Sequence, residues 1–130
     1  DDDHVVAARA GFGSGSKVVE SFNAASVPNP SFDNIWFTDG PLVSLPAYSC
    51  VIDRSDPNTI LVGTEFGIYS TTDGGTNWGV EGEVIGPLPI LDLRQQWRSP
   101  DDVENAGYIY VGSHGRGAFK SSSLAKSGIE

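Results

Sequence analysis

The chain has 130 residues, with 8 Lys and Arg against 17 Asp and Glu, for a formal net charge of −9. With no basic face to neutralise phosphates, nucleic acid is excluded as an expected partner, and no apolar run approaches the roughly 20 residues of a membrane-spanning helix. Sixteen Gly and eight Pro, with helix formers scattered between them, exclude a long-helix bundle, whereas 38% hydrophobic residues and three Trp provide for a packed core.

Strand signals run the length of the chain. His4–Ala10 is apolar and partly β-branched, Gly11–Ser16 is a flexible turn, and Lys17–Phe22 alternates in and out. Residues 24–33 carry two Pro and read as a loop. Asn34–Thr38 is a short aromatic strand and Tyr48–Asp53 another, with Ser55–Asn58 a turn. Thr59–Thr64 and Gly67–Thr71 follow, joined by Glu65 and Phe66. Asp73-Gly74-Gly75 is a tight turn into Asn77–Val80. Ile90–Gln96, Tyr108–Ser113 and Gly117–Ser121 complete about ten short strands between Gly, Pro and Asp turns. This pattern predicts an all-β sandwich, barrel or propeller.

An internal repeat narrows the choice. Leu45-Pro46 and Leu88-Pro89 stand 43 residues apart. Each opens a strand, a Ser-Pro-containing turn, an apolar strand ending Val-Gly-Thr or Val-Gly-Ser, a Gly turn and an aromatic strand. A period of roughly 40–50 residues with four strands per unit predicts propeller blades. The expected fold is therefore all-β, a partial β-propeller of about two and a half four-stranded antiparallel blades. Residues 1–44 form a partial blade (second to fourth strands), 45–87 a full blade, 88–123 a final blade lacking its outer strand, and 124–130 a polar tail. The absence of Met, with Asp1 first, leads to the expectation of a mature fragment or a piece of a larger protein. The single Cys50 leaves no internal disulfide framework.

Thr71 to Trp78 reads Thr-Thr-Asp-Gly-Gly-Thr-Asn-Trp. It resembles the Asp-box of bacterial neuraminidase repeat propellers at Thr71, Asp73, Gly75 and Trp78, with Asn77 where the family carries Thr. The hairpins Asn58–Ser70 and Tyr108–Phe119 are similar to the second and third strands of sortilin-like and glycosidase-like Asp-box propellers. The chemistry suits a hairpin, in which a carboxylate accepts backbone N–H bonds, Gly takes a positive φ and Trp packs the turn down. The resemblance implies that these four residues are structural, that no catalytic residue, metal ligand or cofactor belongs to this stretch, and that the chain comes from a secreted or cell-surface protein of bacterial type.

Other residues are candidates for a ligand face. Glu65 and Phe66, and His114 and Arg116, lie on the turns between second and third strands, which in propellers share a face with the blade-to-blade connections. Asp92 and Arg94 alternate with Leu91 and Leu93 on the innermost strand of the last unit, which predicts an ion pair on one face and leucines on the other. Phe32, Trp36, Phe37 and Trp97 read as core aromatics or as platforms for sugars. Asp1 to His4 reads as a solvated chain end. No carboxyl pair stands out for glycoside hydrolysis. The expected function is a non-catalytic scaffold or binding module. Its partners would be the remaining blades of the parent or another chain, with a carbohydrate or peptide ligand and no nucleic acid. The alternative is a fragment of a glycoside-hydrolase-type propeller that contributes loops to a carbohydrate cleft.

Overall fold

The computed structural model describes residues 2–81 and 85–125, and these residues form ten β-strands and no helix. The strands are β1 (Val5–Ala8), β2 (Val18–Ser21), β3 (Asp33–Asn34), β4 (Ala47–Asp53), β5 (Asp56–Thr64), β6 (Gly67–Thr71), β7 (Gly79–Glu81), β8 (Ile90–Gln95), β9 (Ile109–Ser113) and β10 (Gly117–Ser121). They make three antiparallel sheets in chain order: β1-β2-β3, β4-β5-β6-β7 and β8-β9-β10. Every strand therefore pairs with its sequence neighbour, through short turns at β4-β5, β5-β6 and β9-β10 and through longer links elsewhere.

Strand register shows one unit built three times. Val5 pairs with Ser21, Ile60 with Thr71 and Ile109 with Ser121, and the three hydroxyl residues stand 50 residues apart. A second marker is a bulge. The pairing of β4 with β5 skips Tyr48, between Ala47 and Ser49, and that of β8 with β9 skips Leu91, between Ile90 and Asp92. These bulges stand 43 residues apart. The spacing grows from 43 to 50 because the link from β8 to β9 is longer than the tight turn from β4 to β5. By this alignment β1-β2-β3 match β5-β6-β7, and β8-β9-β10 match β4-β5-β6. Among the described residues the first sheet has no counterpart of β4, and the last has no counterpart of β7.

The sheets stack in succession. β1 lies against β4, and β8 lies against both β4 and β5. Alternation along β5 sends Ile60 and Val62 into the first seam, where they meet Val18, Trp36 and Tyr69, while Leu61 turns to the second, beside Ile90, Leu93 and Val111. Ile60, Val62, Ile109 and Val111 are all buried, each contributing about 1.5–3 kcal/mol by leaving water. The outer faces differ. The first sheet shows Val5 and Phe32 to solvent, whereas the last shows Arg94, Tyr110 and Lys120, which register places on one face.

Several local expectations are corrected. The aromatic strand expected at Asn34–Thr38 stops at Asn34, because the Asn34 side chain accepts the Trp36 N–H at 3.1 Å and donates to the Trp36 carbonyl at 3.2 Å, ending the ladder in a turn. Trp36 then folds into the core and donates its indole N–H to the Leu42 carbonyl at 2.9 Å. Leu91 does not share a face with Leu93: the bulge throws it out of step, leaving it 51% exposed against 2% for Leu93. The chain start is not simply solvated. Asp3 accepts the Ala25 N–H at 2.9 Å and the Ser26 hydroxyl, and His4 sits 2.7 Å from the Glu20 carboxylate and stacks on Phe22.

The second seam depends on Gly63. A Cβ there would lie 2.8 Å from Ile90 Cγ2 and 2.9 Å from the Ile90 carbonyl oxygen, so the backbones of β5 and β8 approach only because it is absent. Gly63→Ala is expected to lower stability by about 1–3 kcal/mol through overpacking. Denaturant unfolding checks this; an unchanged midpoint would show that the seam is looser than described.

Candidate functional site

Turns between the second and third strands of each unit all emerge at one end of the stack. In the middle sheet Thr64 builds its turn, donating its hydroxyl to the Gly67 carbonyl at 2.8 Å and accepting the Phe66 N–H at 3.1 Å. Ser113 repeats half of this by donating to the Gly117 carbonyl at 2.7 Å. The turns are pinned to the start of each first strand: Glu65 N–H bonds the Pro46 carbonyl at 3.1 Å, and His114 N–H bonds the Pro89 carbonyl at 2.9 Å. These matching bonds fix where the candidate side chains of both turns begin.

The side chains themselves have diverged. Glu65 accepts a hydrogen bond from the Tyr48 hydroxyl, and that bond, with burial and the carboxylate's charge, holds the phenol's proton above its ordinary range. Phe66 stands exposed at the tip. Arg116 reaches across the second seam and donates to the Ile85 carbonyl at 3.0 Å, while His114 is exposed. Tyr48 was not singled out by sequence, yet its position at the bulge is what aims it at Glu65; the 43-residue repeat, which matches it to Leu91, was the available signal.

Asp92 and Arg94 form a separate group. The Arg94 Nε lies 3.1 Å from each Asp92 carboxylate oxygen, and the pair is open to water, with side chains 78% and 52% exposed for Arg94 and Asp92. An exposed pair of this kind contributes about 0–1 kcal/mol. It borders a shallow depression of about 340 Å³ with Ser49, Gln95 and Trp97. Trp97 is 57% exposed, so it is no core aromatic. Ser49 latches the two inner strands by accepting the Leu93 N–H at 3.0 Å. Gln95 closes the other end, donating to Asp53 at 2.7 Å and accepting from the Arg54 N–H at 2.8 Å. None of Glu65, Phe66, His114 or Arg116 lines this depression. The six ligand-face candidates thus fall into two groups.

Thr71, Asp73, Gly75 and Trp78 form a structural turn between β6 and β7. Asp73 accepts the Asn77 N–H at 2.9 Å and the Asn77 side-chain amide at 2.8 Å, and the Thr71 hydroxyl at 2.7 Å. These bonds, from Asn77 first, push its carboxyl down to about 2. Gly75 has φ +96°, and a Cβ there would meet Ile35 Cβ at 2.7 Å. Trp78 is half-buried and donates its indole N–H to the Ile35 carbonyl at 2.7 Å, tying this turn to the first sheet. The same turn recurs in the stretch that its two Pro mark as a loop. Ser21 donates to Asn23 at 3.0 Å and accepts its N–H at 3.2 Å, and the Asn23 side chain accepts the Ser31 N–H at 3.1 Å. Residues 24–30 stand where the middle sheet has 74–76, and the four extra residues hide the match. Ser121 and Ser123 repeat the opening bonds at 2.9 and 3.2 Å.

The titratable groups near these turns and in the depression are few. Both ligand-face carboxylates are engaged, Glu65 by Tyr48 and Asp92 by Arg94. Burial pushes the Cys50 thiol up, away from thiolate chemistry. No group of three or more His, Cys, Asp or Glu side chains is gathered for a metal among the described residues. No protein-family model matches the chain, and no curated protein matches it.

Because Asp73 is depressed in the folded state, the stability it contributes is present above the ordinary carboxyl range and is lost as pH falls from about 4 through about 2. Thermal melts of the native chain and Asp73→Asn should therefore differ most at neutral pH, with the difference shrinking as pH falls to 2 and vanishing below it. A difference that persists there would show that the carboxylate's charge is not what holds the turn.

Proposed function

We propose that this chain is a non-catalytic scaffold or binding module, a set of neighbouring blades from a larger Asp-box β-propeller of sortilin-like type, with a place at the cell surface or outside it. The observation that carries the reading is the turn repeated at Ser21–Ser31, Thr71–Asn77 and Ser121–Ser123 on three sheets of one register, stacked through their inner strands. Blades of a propeller stack in this order, and a local turn of this kind is their repeating unit. The extracellular placement rests on the Asp-box resemblance.

A second reading is favoured by one observation. Trp97 stands open beside Asp92 and Arg94 in the same depression, an aromatic face next to polar groups such as a sugar uses. On this reading the chain contributes part of a carbohydrate cleft to a glycoside-hydrolase-type propeller.

A glycan panel scored for both binding and reducing-sugar release separates the two. The scaffold reading expects no release, and any glycan retained should be lost with Trp97→Ala. Sugar release abolished by Asp92→Asn would overturn it.

A further inference from the structure

Aspartate followed by glycine is a reactive pair, because a glycine without a Cβ leaves its backbone nitrogen open to the preceding carboxyl. The pair occurs twice in the chain, at Asp39-Gly40 and at Asp73-Gly74. The structure holds the two in opposite states. At Asp73 both reacting groups are engaged. The Gly74 N–H donates to the Asn58 carbonyl at 3.0 Å, and the carboxylate accepts from the Asn77 N–H at 2.9 Å, the Asn77 amide at 2.8 Å and the Thr71 hydroxyl at 2.7 Å. With its carboxyl pushed down to about 2, Asp73 is rarely in the acid form that can release its oxygen as water. Asp39 and Gly40 are both exposed. Gly40 has φ +81°, with open space where a Cβ would point. Among the described residues nothing donates to the Asp39 carboxylate or accepts the Gly40 N–H.

We infer that Asp39 is a site of spontaneous isoaspartate formation, and that its conversion loosens the hold of the surrounding loop on Trp36. The Gly40 nitrogen loses its proton and bonds to Asp39 Cγ. The carboxyl hydroxyl leaves with a proton as water, closing a five-membered succinimide. Water then reopens the ring. Attack at Cγ restores Asp39. Attack at the Asp39 main-chain carbonyl frees that carbon as a carboxylate and leaves the chain running through Cβ and Cγ. The water lost in the first step is regained in the second, so the mass is unchanged and no oxidant or other co-reactant is consumed. The backbone gains one carbon in the span between β3 and β4. That span holds Trp36. The Leu42 carbonyl accepts the Trp36 indole N–H at 2.9 Å and the Leu45 N–H at 3.1 Å, and the Gly40 carbonyl accepts the Val43 N–H at 3.4 Å. Leu42 packs on the same core as Trp36. A longer path through residue 39 displaces the Gly40–Val43 turn, and with it the carbonyl that receives the indole.

This inference stands whether or not the scaffold reading does, since it needs only the two turns. The test incubates the full 130-residue chain in mildly acidic buffer, once folded and once in denaturant. Isoaspartate is tagged by enzymatic methylation of its free main-chain carboxylate and located by fragment mass spectrometry. In the folded chain the tag is expected at Asp39 and not at Asp73. In denaturant Asp73 should rise to the level of Asp39, whose own rate should barely change. Asp39→Glu should abolish the tag in the folded chain without moving the melting midpoint, because the Asp39 side chain holds nothing in place. Equal tagging of the two sites in the folded chain would overturn the inference, as would an Asp39 rate that climbs several-fold on unfolding. The consequence is read from exchange of the Trp36 indole proton by NMR, which should be faster in the isoaspartyl form than in fresh protein. An unchanged exchange rate would overturn the coupling of this loop to the core.

Discussion

β5 is the strand on which the structure turns. It is buried on both faces, with Ile60 and Val62 closing one seam and Leu61 and Gly63 the other. A strand so placed cannot alternate polar with apolar residues, and its run Ile-Leu-Val-Gly has none of the polar positions that an edge strand shows. Each neighbouring sheet meets water on one broad face and the middle sheet on the other. Removing the middle sheet would leave two three-stranded pieces with no partner for their apolar sides.

Against that constraint the candidate site is peripheral. The turns that present Glu65, Phe66, His114 and Arg116 are held by bonds to Pro46 and Pro89, at the starts of the inner strands. The scaffold fixes where the turns are, and their side chains are free to vary. Glu65, first in its turn, is tied to a tyrosine, and Arg116, last in the matching turn, to a carbonyl. This is the pattern of loops on a repeated frame, in which the frame sets geometry and the loops set chemistry.

How much of this was legible in the sequence follows the range of the interactions. Most strand positions from β4 onward are readable because the turns are local: Asp73-Gly74-Gly75 and the Gly67 and Gly117 turns carry their own instructions, although Asp56–Asn58, expected in a turn, belong to β5. The Ser21–Ser31 turn was not, since an insertion between Asn23 and Ser31 breaks the spacing while leaving the hydrogen bonds intact. Leu91 was placed on the wrong face because a bulge is set by two strands together and leaves no mark in one. The split of Asp92 and Arg94 from the turn residues depends on which side of an inner strand faces which seam. That is a three-dimensional fact absent from alternation alone.

The bulges at Tyr48 and Leu91 have one more consequence. Every pairing within a sheet joins neighbours in the chain, so the sheets have short loops to close and form on local contacts. The seams join residues some 43 apart, as between Ser49 and Leu93 or Trp78 and Ile35. Folding therefore has two natural stages, quick zipping of each meander and slower docking of one upon the next. The bulge sits where the two stages meet, because it swings the following residue, Ser49, onto the neighbouring strand. A chain with a straightened β4 would still zip, but its sheets would lose the catch that tells one where to stop sliding against the other.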